Sequence, residues 1–183
     1  MADINSELLS RHRAPVDESA GKAAAPGADP QLITFVELLF FAYRDFTREA
    51  DAILAEYGLG RAHHRVLHFV NRHPGLRVAD LLDILKITKQ SLARVLKQLI
   101  DKGFIMQRAG NDDRRERRLF VSAKGGRLAE KLSAQQIQHI EAALAHAGPG
   151  AAEFARRFLF AMITESDRPR VEALVKLASG TRA

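Results

Sequence analysis

No cysteine occurs among the 183 residues, which excludes a disulfide framework, a thiolate zinc site, a thiol nucleophile and cysteine-based redox sensing. No uninterrupted apolar run approaches the roughly 20 residues of a membrane span. With 46% hydrophobic and 27% charged residues, the composition is that of a globular chain with no membrane partner expected. Residues 1–30 lack the continuous apolar segment and cleavage pattern of a secretory signal, so the expected compartment is the cytoplasm. A glycine-rich phosphate loop, a nucleophile elbow and paired acids at a strand end are also missing, which argues against an enzyme and its cofactor. Gly125-Gly126 opens a helical pattern and reads as a backbone device.

Positive charge is present in excess, and it is local. The formal net charge is +6. Between Lys86 and Arg118 lie ten Lys or Arg and four acids, so this one window holds the whole excess. A concentrated patch of this kind attracts a polyanion, where evenly spread charge would only aid solubility; a plain solvated face is the competing reading.

The length suits one domain with loose ends. Residues 1–30, with small residues and Pro15, Pro26 and Pro30, bury too little apolar surface to offset ordering and are expected to form a flexible arm. From Gln31 to Tyr57 a helix is apolar nearly all round at Phe35, Val36, Leu38, Leu39, Phe40 and Phe41, and such a helix must be covered on every side. In so small a domain the expected cover is a second copy of the chain. Residues 31–60 are therefore assigned to dimerisation, 61–121 to a DNA-binding lobe and 122–183 to further dimerisation helices.

Within 61–121 the pattern is specific. A helix from about Ala62 to Arg72 stops at His73-Pro74-Gly75. A short helix follows with Val78, Leu81, Leu82 and Leu85 in one stripe, then the connection Lys86-Ile87-Thr88. Thr88 is placed to cap a helix running Lys89 to Lys102, buried through Leu92, Val95, Leu96 and Leu99, with Gly103 as its stop. Residues 104–108 and 117–121 then alternate as a β-hairpin with a charged tip. The remainder is helical over Ala123–Ala147, Ala152–Glu165 and Pro169–Ala178.

Short helix, tight turn, second helix and hairpin is the order of a winged helix-turn-helix, in a mainly α fold whose second helix enters the major groove. The outward face of that helix is Lys89, Gln90, Ser91, Arg94, Lys97 and Gln98, with no acid before Asp101. Arg94 suits guanine and Gln90 adenine; Ser91 suits base or phosphate, and Lys89 and Lys97 suit phosphates. At the hairpin tip Arg114, Arg115, Arg117 and Arg118 are candidates for the narrow minor groove, with Asp112 and Asp113 orienting them.

The segments VADLLDILKITKQSLARVLKQLIDKGFI and DRRERRLFVSAKG, within a stretch from Phe35 to Leu144, resemble the MarR-type winged-helix regulators. The wing pattern of that family is matched by Asp113-Arg114-Arg115 and by Val121-Ser122-Ala123-Lys124-Gly125, where Val121 replaces the usual leucine. The resemblance implies that Arg115 reaches the minor groove with Asp113 as its partner, and that Thr88, Ser91 and Arg94 belong to the major-groove element. It also implies a homodimer on double-stranded DNA, acting as a transcriptional regulator, commonly a repressor, that a small phenolic or anionic effector releases.

Two other readings compete with this one. His64 and His68 have the i, i+4 spacing that places two imidazoles on one metal, but no Glu follows His64 as a metallopeptidase requires and no third ligand is near, so no metal is expected. A helical protein-interaction module or a non-specific architectural DNA binder would share the basic patch; salt-dependent, sequence-selective duplex binding separates the regulator from both.

Overall fold

The computed structural model describes residues 29–110 and 116–180. Most of the expected arm, and the wing-tip residues Asp112, Asp113, Arg114 and Arg115, lie outside them. The elements are α1 (Pro30–Ala55), α2 (Arg61–Arg72), β1 (Leu76–Arg77), α3 (Val78–Leu85), α4 (Lys89–Asp101), β2 (Ile105–Ala109), β3 (Arg117–Val121), α5 (Ala123–Ala147), α6 (Ala151–Ala161), a 3-10 turn (Glu165–Asp167) and α7 (Arg168–Gly180). The chain divides into two units, residues 1–42 and 43–183, with the boundary inside α1.

The described part of the first unit is the opening half of α1. Asp29 starts it, its carboxylate accepting from the Gln31 N–H at 2.9 Å. The apolar residues that follow are exposed in the single chain: Phe35, Val36, Leu38, Phe40 and Phe41 are all at least half accessible. The helix ends at Ala55, two residues before the expected Tyr57.

The second unit holds one core. Ala50, Ile53 and Leu54 of α1 meet Val66, Leu67 and Val70 of α2, Leu81 and Leu85 of α3, and Leu92, Val95, Leu96 and Leu99 of α4. Phe104, Ile105 and Leu119 of the hairpin and Leu128, Ala129 and Leu132 of α5 complete it. The sides of α2, α3 and α4 read as inward from the 3.6-residue period hold the buried residues of those helices.

The sheet has three strands in the order β1-β3-β2, all antiparallel. Ile105 pairs with Val121 and Ala109 with Arg117, which is the expected hairpin. β1 has no signature in the sequence: two residues carry no alternation to read, and Leu76 finds Leu119 only once the hairpin exists. The Gly75 N–H also donates to the Leu119 carbonyl at 2.8 Å, fastening this third strand.

Gly125 explains how α5 leaves the wing. A Cβ there would lie 2.0 Å from the Phe104 carbonyl oxygen, so only glycine allows the two backbones to meet. Ser122 secures the junction, its hydroxyl donating to the Gly103 carbonyl at 2.7 Å and accepting from the Gly125 N–H at 3.0 Å. Gly126 faces open space, so the close approach belongs to Gly125 alone.

The expected helix Ala152–Glu165 ends early, at Ala161. The guanidinium of Arg168 donates to the carbonyls of Ala161 (2.8 Å) and Ile163 (3.0 Å), satisfying the end of α6 and turning the chain into Glu165–Asp167. No buried residue belongs to α6, and Phe154, Leu159 and Met162 are more than half exposed.

Candidate nucleic-acid interface

The candidate surface is built on α4. Thr88 stands at its N-cap with extended backbone, its hydroxyl accepting from the Ser91 N–H at 3.1 Å and meeting the Ser91 hydroxyl at 2.9 Å. Thr88, expected among the DNA-contacting residues, therefore serves first as the cap that fixes the start of the helix. Lys86, at the left-handed end of α3 (φ 51°), makes the turn between the two helices.

With Leu92, Val95, Leu96 and Leu99 buried, Lys89, Gln90, Ser91 and Arg94 stand exposed on the outer face. Neither Lys89, Gln90 nor Arg94 has a side-chain partner among the described residues. Lys97 is different, forming an ion pair with Asp101 one turn on. Gln98 is different again: its side-chain oxygen is hydrogen-bonded to Nε2 of His63 from α2.

The far end of α4 is braced too. Lys102 donates from Nζ to the Tyr57 carbonyl at 2.7 Å, and Lys124 donates to the Lys102 carbonyl at 2.9 Å. Lys124 also lies over the Phe104 ring, 4.3 Å from its centroid. The helix is thus held to the α1–α2 connection and to α5 while its basic half stays outside.

The wing rises beside it. The Gly110 N–H donates to the Glu116 carbonyl at 2.9 Å, closing the base of the tip. Arg118, one of the four arginines expected there, is committed to that base through Glu116 at 2.9 Å. Glu116 also meets Arg77 at 3.4 Å, and Arg77 forms a two-bonded pair with Asp80 at 2.7 Å. The hydrogen bonds from Arg77 hold the Asp80 carboxyl below its usual range, while those bonds raise the Arg77 pKa. Arg108 packs over Phe120 at 5.0 Å. Arg117 is exposed at the start of β3, and Asp113, Arg114 and Arg115 lie outside the described residues.

Residues 57–116, from the end of the first helix to the wing, match the model of the MarR family. Over 146 residues the chain is 46% identical to the HTH-type transcriptional regulator PetP of Rhodobacter capsulatus, covering 80% of this chain and 88% of that one. The chain belongs to the MarR family. Its winged-helix fold is shared with solved structures of MarR (TM-score 0.60, 19% identity, 81% of this chain and 98% of that chain) and SlyA (0.60, 17%, 78% and 96%). The regulator Tm0710 of Thermotoga maritima gives 0.51 at 20% identity, over 71% and 89%. The protein is accordingly a MarR-family transcriptional regulator with a DNA-binding helix-turn-helix, and not an enzyme.

The histidines of α2 take separate parts in this MarR-family lobe. Among the described residues no three His, Asp or Glu side chains converge as a metal would need. His64 and His68 are held below the ordinary imidazole pKa of 6.5 chiefly by burial. His68 instead lines an open cleft of about 830 Å³ between α2, α5 and α7, with Phe46, Phe69, Arg72, Ile137 and Leu174. The sequence reading gave no role to His63, Arg77 or Glu116. His63, three residues after Gly60 at a helix start, and Arg77, three residues before Asp80, left local signals.

Proposed function

We propose that this MarR-family protein is a homodimeric repressor that binds a pseudo-palindromic operator. The observation that carries the reading is the face of α4: Lys89, Gln90, Ser91 and Arg94 are exposed together, without an acid, on a helix braced at its cap, middle and end. Such a face suits the major groove, with Arg94 and Gln90 on base edges and Lys89 and Lys97 on phosphates. Arg115, oriented by Asp113 and flanked by Arg114 and Arg117, enters the minor groove. Residues 61–121 form the DNA-binding lobe, and residues 31–60 and 122–183 supply the dimer.

Dimerisation is supported by the exposed aromatic residues of α1 and, separately, of α6, since exposed apolar surface on this scale calls for cover. An effector is supported by the cleft beside His68, whose volume falls in the range of small-molecule sites. Its aromatic and aliphatic lining with Arg72 fits a phenolic or anionic compound that releases the repressor from DNA. Among the described residues no helix is long and apolar enough to cross a membrane, and the protein acts on DNA in the cytoplasm.

The test is selection of genomic fragments by the purified protein at physiological salt, followed by footprinting. The expected result is a site with two half-sites centred roughly 34–36 Å apart. Binding without sequence preference that salt readily abolishes would instead indicate an architectural binder.

A further inference from the structure

One bond across the lobe fixes the polarity of a side chain on the reading face. The backbone N–H of Gly60 donates to Nδ1 of His63 at 3.1 Å. An amide N–H can only donate, so Nδ1 carries no proton and the ring hydrogen sits on Nε2. That Nε2–H faces the side-chain amide of Gln98, so the atom receiving it must be the carbonyl Oε1. The NH2 group of Gln98 is left pointing away from His63 with both of its hydrogens.

Gln98 lies one turn beyond Arg94 on the same exposed side of α4. A free glutamine offers a donor and an acceptor together and pairs bidentately with adenine N6 and N7. Held by His63, Gln98 keeps one orientation of its amide, with Oε1 turned to the imidazole and retaining its second lone pair, and the NH2 turned away. We propose that His63 is a positioning residue that fixes which way the Gln98 amide faces, so that its NH2 group is directed at a hydrogen-bond acceptor of the DNA. The inference rests on the reading of α4 as the groove-entering helix. The acceptor is a phosphate oxygen or a base-edge atom such as guanine O6 or N7 or thymine O4, and these differ in what they do to sequence preference.

Two variants separate the ring's two jobs. In His63→Asn the Oδ1 stands where Nδ1 was and keeps the Gly60 N–H satisfied, but nothing reaches Gln98. In His63→Gln the side-chain amide reaches Gln98 but can flip, so the bond persists without a fixed polarity. Affinity for the selected site and base-by-base preference are measured with the full-length chain for both variants, for Gln98→Ala and for each combined with Gln98→Ala.

His63→Asn and Gln98→Ala are each expected to weaken binding by roughly three- to tenfold, the scale of one hydrogen bond. In the Gln98→Ala background, either His63 change is expected to add nothing further. His63→Gln is expected to keep most of the affinity, since the Gln98 amide is still held, in either orientation. Relaxed preference at one base pair assigns the acceptor to a base, and uniform loss across sequences assigns it to a phosphate. Independent, additive losses for His63→Asn and Gln98→Ala, or unchanged binding in both, would overturn the proposal. Arg94→Ala is the control for the underlying reading: if it loses binding while the other two do not, only this inference fails, and if it too binds normally, the groove reading fails with it.

Discussion

The proposed contacts give Arg94 and Arg115 different work, and substituting each in turn separates major-groove from minor-groove reading. Arg94→Ala is expected to lower operator affinity by roughly tenfold and to relax preference at one base pair, because a bidentate contact is worth about 1–3 kcal/mol of discrimination. Arg115→Ala is expected to weaken binding to all sequences together, since a wing arginine reads groove width. Competition binding against a library of single-base variants checks both, and unchanged selectivity in Arg94→Ala would remove that residue from the site. The two adjacent glycines make a sharper test of packing. Gly125→Ala forces a methyl against the Phe104 carbonyl and is expected to lower the urea midpoint. Gly126→Ala meets open space inside a helix and is expected to raise stability by about 0.5–1 kcal/mol.

α4 depends on its cap and α2 on its neutral histidines. Thr88→Ala removes the acceptor of the Ser91 N–H and is expected to cost about 1 kcal/mol, measured by urea unfolding. On α2 and at its end, His64, His68 and His73 all have pKa values lowered from 6.5, first by burial. The unfolded chain therefore takes up protons before the folded one does. The stability these groups contribute is present in full above about pH 6.5 and is lost as pH falls through their lower folded values. Melting temperature is expected to drop between about pH 7 and pH 5, above the range where carboxylates titrate. His68→Gln should flatten that drop; an equal slope with and without His68 would show that its burial does not govern it.

For the whole molecule, the exposed apolar surfaces predict an oligomer. Phe40 is 70% exposed on α1 and Phe154 66% exposed on α6, so a charge at either position is tolerated by the single chain. Phe40→Glu and Phe154→Glu are expected to yield folded monomers in sedimentation and to lose operator affinity by far more than any single groove contact, because half of a palindrome is left unread. A wild-type chain that sediments as a monomer at working concentration would sink the dimer. Folded monomers that keep full affinity would show that dimerisation and operator reading are separate.

Periodicity alone determined much of this protein: the stripes of α2 to α4, the Thr88 cap, the Gly103 stop and the wing strands are local patterns, and the sequence is enough to read them. The outward set Lys89, Gln90, Ser91 and Arg94 followed from the same arithmetic, since naming the buried side of a helix names the other. What the tertiary structure decided is which of these groups are already engaged. Lys97 has Asp101 beside it, which sequence spacing could suggest, but His63 meets Gln98 across 35 residues and Arg118 is engaged by Glu116. The strand Leu76–Arg77 exists only because Leu119 is there to pair with it, and α6 stops at Ala161 only because Arg168 returns to its carbonyls. Local pattern sets which face a residue occupies; contacts between distant segments set which of its atoms remain to bind DNA.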